Sequence, residues 1–189
     1  MIAPGFADPV RDAQATFRAL LAAMSHPGRV HPAGRGLSPP APLTPALAAV
    51  ALTLCDADTP LWTDAPEEAR GWLAFHCGCP FAADPAAAAF VLPLSDPPPL
   101  AALAQGTDEE PHLSATLLLP VAALAEGAGW RLSGPGIAGE ARLAVRGAPP
   151  GFAAAFAAQS TRFPRGVDVI LCAPEHVACL PRSLRLSEG

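Results

Sequence analysis

The stretch FHCGCPF, residues 75–81, sets His76, Cys77 and Cys79 almost side by side. Imidazole and thiolate are soft ligands, so this spacing raises a metal site or a redox pair. A structural zinc site needs four ligands, and the local sequence supplies three at most, in a Cys-x-Cys spacing less usual than Cys-x-x-Cys. The other cysteines, Cys55, Cys172 and Cys179, fall in apolar segments, where a buried thiol behaves as a small hydrophobe. The simpler reading makes His76 the end of a helix, where a cation suits the dipole. No metal and no cofactor is expected.

A second candidate is RLSGPGI, residues 131–137. A strand running into a glycine turn can aim backbone N–H groups at an anion, and arginine is a two-pronged phosphate partner. Arg131, Ser133, Gly134 and Gly136 would then hold the anion. Pro135 removes one donor, and a plain turn is the competing reading. A third stretch, TRFPRGVDVIL at 161–171, puts Arg162 and Arg165 around Phe163-Pro164 and sends Asp168 into an apolar strand. Such a carboxylate either faces solvent or pairs with an arginine, and pairing is the reading preferred. Arg165 and His76 join the candidate anion ligands. Asp56, Asp58 and Thr59 could serve a hard cation, but a capped turn explains them more simply.

These residues need elements to carry them. Asp8-Pro9 opens a helix on which Val10, Phe17, Leu20, Leu21 and Met24 recur at helical spacing, and Pro27-Gly28 stops it. Those five residues are expected to form one buried face. Thr44-Pro45 opens a largely apolar helix, and Pro66 a third, EEARGWLAFHC, which Cys79-Pro80 must end. Residues 61–63 are a short strand. The second half reads as strands at 88–94, 114–121, 130–133, 141–147, 167–172 and 176–181, with a helix over 151–159. Apolar strands without strict alternation are covered on both faces. Helices first and strands later predict a three-layer α/β/α domain with a mixed sheet.

The 189 residues suit one domain spanning 1–189 and are long enough to fold without a staple. With 51% hydrophobic residues and a mean hydropathy of +0.30, the chain is core-rich. All 12 basic residues are arginine. The missing lysine excludes Schiff-base chemistry and a P-loop. A net charge of −5 argues against nucleic acid as a partner. No apolar run has the roughly 18 residues of a membrane span, and no signal peptide is seen, so a cytoplasmic location with reduced thiols is expected.

DAQATFRALLAAMSHPGRV, LTLCDADTPLW, AFHCGCP, ATLLLPVAAL, RLSGPGI and FPRGVDVILC occur in an order that resembles the PhnH family, the H subunit of the bacterial carbon–phosphorus lyase system. The matching positions include Ser25, Pro27, Gly28, Phe75, His76, Pro80, Gly134, Gly136, Gly166 and Asp168, whereas His26, Cys77 and Cys79 are departures. The resemblance implies the fold of pyridoxal-phosphate-dependent transferases without that cofactor. It implies a homodimer when isolated, and an accessory place beside the G, I and J subunits, with J as the docking partner. The assembly would attach phosphonate to the ribose of ATP during alkylphosphonate breakdown. No catalytic residue is carried over. The alternative expectation is a direct phosphate- or nucleotide-binding role for this chain.

Overall fold

The computed structural model describes residues 2–189. Helix α1, Pro9–Ser25, is capped by Asp8, whose carboxylate accepts the Arg11 N–H at 3.1 Å. Helix α2, Pro45–Leu54, is capped by Thr44 and is buried along most of its length. Both follow the same logic: a short polar side chain satisfies a free N–H, and proline fills a position that needs none. Helix α3, Glu67–Cys77, has Glu67 and Glu68 in its first turn, where carboxylates favour the dipole. It ends at Gly78 rather than at Cys79-Pro80. Gly78 takes a left-handed φ of 66° and donates its N–H to the Ala74 carbonyl at 3.1 Å.

The main sheet has six strands: β1 (His31–Pro32), β2 (Leu61–Thr63), β3 (Phe90–Leu92), β4 (Thr116–Pro120), β7 (Asp168–Cys172) and β8 (His176–Leu180). Their spatial order is β1-β8-β7-β4-β3-β2. Strands β2, β3, β4 and β7 run parallel, whereas β8 pairs antiparallel with β7 and with β1. The chain is thus α/β with a mixed sheet. Side-chain alternation gives the sheet two apolar faces. Leu92, Leu118, Ile170, Val177 and Cys179 pack with α1, α2 and α3. Val91, Leu117, Leu119, Val169 and Leu171 point the other way.

That second face is covered by helix α4, Phe152–Gln159, together with a separate three-stranded antiparallel sheet. This sheet is β5 (Ala123–Ser133), β6 (Ala141–Arg146) and β9 (Arg185–Ser187), in the order β6-β5-β9. The sequence reading put every strand in one sheet. The glycines of EGAG break the period of β5, where the register shifts between Glu126 and Trp130, and β9 is only three residues long. Gln159 locks α4 to the entry of β7. Its amide donates to the Val167 carbonyl at 3.0 Å and accepts the Val167 N–H at 2.9 Å.

Helix α1 corrects one expectation. Its buried residues are Thr16, Leu20 and Ala23, whereas Val10, Phe17 and Leu21 are 78%, 51% and 56% exposed. The helix packs on α2 and β8, and that contact covers a narrower arc than the apolar stripe. The edge of the stripe therefore stays open along nearly the whole helix.

Candidate functional site

Two motifs from opposite ends of the chain meet. The GPGI turn after β5 packs on the SHPG loop after α1. Gly136 has φ +81°, and a Cβ there would overlap the Ser25 carbonyl oxygen. Gly28 has φ +95°, and a Cβ there would come within 2.8 Å of the Ala141 side chain. Both positions therefore need glycine for conformation and for close approach. Beside this contact opens a cleft of about 530 Å³, within the usual range for small-molecule sites. Arg29, Glu126, Glu140 and Arg142 bring charge to it, and His26 lines it.

The charges are paired. Glu126 takes the Val30 N–H at 2.9 Å and the Arg29 guanidinium at 2.7 Å. These contacts, the backbone N–H first, hold its carboxyl below the ordinary value. Across the cleft, Glu140 contacts Arg142 at 3.1 Å and Arg131 at 4.0 Å.

Glu140 also borders a smaller groove of about 160 Å³ on the outward face of the second sheet. Arg131, Ser133, Arg185 and Ser187 line it. Strand pairing sets this arrangement, because Ser133 lies opposite Arg185 and Arg131 opposite Ser187. Gly134 follows, within 3.3 Å of the Ser183 carbonyl measured from a Cβ position. So Arg131 and Ser133 share the groove, Gly136 lines the cleft and Gly134 lies in the turn between them, joined by Arg142, Glu140 and Arg185. Those three carried no signal in the sequence: Glu140 and Arg142 straddle the β6 entry, and Arg185 sits in a three-residue strand.

Arg165 and His76 line neither the cleft nor the groove. Arg165 contacts Asp108 at 3.1 Å. His76 is turned to the N-terminal segment, where its Nε2 lies 3.0 Å from the Ala3 carbonyl. The same oxygen accepts the Trp72 indole N–H at 2.9 Å. A carbonyl only accepts, so His76 must carry its proton on Nε2. Asp56 completes its own turn, accepting the Asp58 N–H and the Thr59 hydroxyl at 3.0 Å each. Asp168 is paired, as a carboxylate inside a strand demands, and its partner is Arg182 at 2.7 Å. Both sequence-adjacent arginines are passed over.

Of the HCGC thiols, Cys79 is buried and Cys77 partly buried, and Cys55 is buried at the end of α2. Among the described residues, no three histidine, cysteine or acidic side chains converge to hold a metal ion. Cys172 and Cys179 lie fully buried in β7 and β8, and burial raises both thiols well above the ordinary value.

The sequence as a whole matches the family described as bacterial phosphonate metabolism protein (PhnH), over residues 4–187. The chain belongs to the PhnH family. A PhnH relative from Rhizobium meliloti (strain 1021), the alpha-D-ribose 1-methylphosphonate 5-triphosphate synthase subunit PhnH, is 41% identical over 186 residues, covering 96% of this chain and 93% of the relative. A second relative, the putative C-P lyase subunit protein HtxG of Stutzerimonas stutzeri, is 33% identical over 174 residues, covering 92% and 85%. In this PhnH chain the contact between the SHPG loop and the GPGI turn thus joins two of the stretches on which the family resemblance was first read.

Proposed function

We propose that this chain is an accessory subunit of the assembly that makes alpha-D-ribose 1-methylphosphonate 5-triphosphate in alkylphosphonate breakdown. The observation that carries this reading is its 41% identity, across 96% of its length, to a synthase subunit of that name. The chain acts as one unit in the cytoplasm, forms a homodimer when isolated, and joins the G, I and J subunits through J. The fold proposed for it is that of pyridoxal-phosphate-dependent transferases, a reading supported by a mixed sheet between two covering layers and used without the cofactor in a chain that has no lysine to bind one covalently.

The open apolar stripe of α1 supports the reading. Val10, Phe17 and Leu21 cost hydration while exposed, and a partner surface removes that cost. Co-expression with matched G, I and J subunits tests it. The chain should co-elute with them at moderate salt. Elution of the chain alone, with the others assembled, would remove the support.

A second reading rests on the arginine-lined groove. There Arg131, Ser133 and Arg185 would bind a phosphate or phosphonate group directly. Calorimetry of the isolated chain with ATP or methylphosphonate separates the two readings. Micromolar binding lost in Arg131→Ala and strengthened in Glu140→Gln, which frees two arginines, favours this one. Absence of binding favours the accessory role.

A further inference from the structure

The outward face of the second sheet carries a square of side chains that the subunit role leaves idle. Strands β5 and β9 pair antiparallel, with Arg131 opposite Ser187 and Ser133 opposite Arg185. Alternation puts Leu132 and Leu186 on the covered side, where both are buried, and turns the other four outward. Residues directly opposite one another have Cβ atoms about 5 Å apart, and residues two apart on one strand are separated by about 7 Å. Arginine thus stands diagonal to arginine, and serine to serine, around the groove of about 160 Å³. That volume is well below the roughly 300–1,000 Å³ of sites that take a whole small molecule. It suits one tetrahedral oxyanion, to which guanidinium forks and hydroxyls donate.

The charges favour such a guest. Arg131 and Arg185 line the groove, and Glu140 is the carboxylate at its border. Among the described residues, Arg185 is paired with no carboxylate. Glu140 is held on one side only. Its Oε1 accepts the Arg142 Nε–H at 3.1 Å, which fixes the carboxylate in place. Its Oε2 lies 4.0 Å from Arg131 Nη1, beyond hydrogen-bonding distance. An acceptor oxygen with room for a donor therefore stands beside two arginines. There it repels any anion that offers it no proton.

We propose, resting on the second reading of this groove, that its ligand is a tetrahedral phosphorus oxyanion that still carries a proton, and that Glu140 selects it. Arg131, Arg185, Ser133 and Ser187 hold the ionised oxygens, while Glu140 Oε2 accepts the remaining P–O–H. Inorganic phosphate keeps at least one O–H across neutral pH, and an alkylphosphonate keeps one as its monoanion. Sulfate has the same shape and carries no proton. Against sulfate, Oε2 would meet a bare oxygen, so two acceptors would face each other with no hydrogen between them. A hydrogen bond to a charged acceptor, exchanged for that repulsion, separates the two ligands by about tenfold or more.

The test is calorimetry of the full chain with inorganic phosphate, methylphosphonate and sulfate, at matched ionic strength and slightly acidic pH. Phosphate and methylphosphonate should each bind about tenfold or more tightly than sulfate, and the tighter of the two identifies the source of the ligand. Arg185→Ala should weaken all three. Glu140→Gln frees the arginines and offers sulfate an amide donor, so sulfate should gain most and the ratio should fall toward one. Glu140 is well exposed, with 46% of its side chain open to solvent, so this variant should fold as the parent does. Sulfate bound as tightly as phosphate by the parent, or a ratio unchanged in Glu140→Gln, would overturn the role of Glu140 while leaving an anion groove. Binding unaffected by Arg185→Ala would overturn the site. No binding of any of the three would overturn the second reading itself, and this inference with it. The parent alone supplies the ratio, so a misfolded variant does not leave the question open.

Discussion

Arg182, just beyond β8, holds Asp168 at the start of β7 through three contacts: Nη2 to Oδ2 at 2.7 Å, Nε to Oδ1 at 3.3 Å, and its own backbone N–H to Oδ1 at 2.7 Å. The guanidinium also donates to the Pro111 carbonyl. The pair therefore ties the main sheet to the loop before β4. Its side chains are 17% and 21% exposed, so it is largely removed from water. Breaking a buried pair by removing one partner costs about 3–5 kcal/mol, and partial exposure brings this pair to that range's lower limit or just below it. Asp168→Ala should destabilise the chain by about 2–3 kcal/mol in urea unfolding. Double substitution with Arg182→Met should recover part of that loss. A single variant unfolding like the parent would mean the pair contributes nothing.

Glu126 gives a pH dependence. Its carboxyl is held below the ordinary value of 4.5 by the Val30 N–H and by Arg29. A depressed carboxyl stabilises the fold above its unfolded value and loses that contribution as pH falls through the folded value. The midpoint of thermal unfolding should therefore fall on acidification below about pH 4.5. Glu126→Gln should show a lower midpoint at neutral pH and a flatter acid limb. The effect is small, because both side chains are well exposed. Identical acid limbs for parent and variant would contradict the assignment.

His76 and Trp72 share the Ala3 carbonyl, which fastens the N-terminal segment to α3. A Cβ on Gly5 would sit 2.9 Å from the His76 ring, so the segment lies close along it. His76→Ala should cost about 1 kcal/mol and expose the segment to limited proteolysis before the rest of the chain unfolds. Cleavage patterns matching the parent would show that the histidine is not the fastener.

The α1 stripe separates stability from assembly. Phe17→Ser and Leu21→Ser change exposed positions, so the isolated chain should keep its unfolding midpoint within about 0.5 kcal/mol. Binding to partner subunits should weaken by tenfold or more, about 1.4 kcal/mol. A stripe that is merely surface would leave binding unchanged.

Local chemistry made much of this fold readable. Asp8-Pro9 and Thr44-Pro45 announce caps that the structure contains, and the apolar runs of β4, β7 and β8 are doubly covered strands. What escaped depends on distance in the chain. Nothing in the sequence says that Glu126 grips residues 29 and 30, or that Asp168 passes over Arg165 for Arg182. The α1 stripe misled for a related reason: periodicity finds an apolar face, but packing decides how much of it a neighbour covers. The anion candidates divided the same way. RLSGPGI stays together because it is one strand and its turn, whereas His76 and Arg165 lie on other elements.

The central claim is that this chain serves the synthase as an accessory subunit, and reconstitution tests it most directly. The assembled G, I and J subunits should be assayed for alpha-D-ribose 1-methylphosphonate 5-triphosphate formation from ATP and methylphosphonate, with and without this chain. Product formation that rises when the chain is added, saturates at a fixed stoichiometry, and tracks its co-elution with the complex is the result expected. Full activity without the chain, or product formed by the chain alone, would contradict the claim.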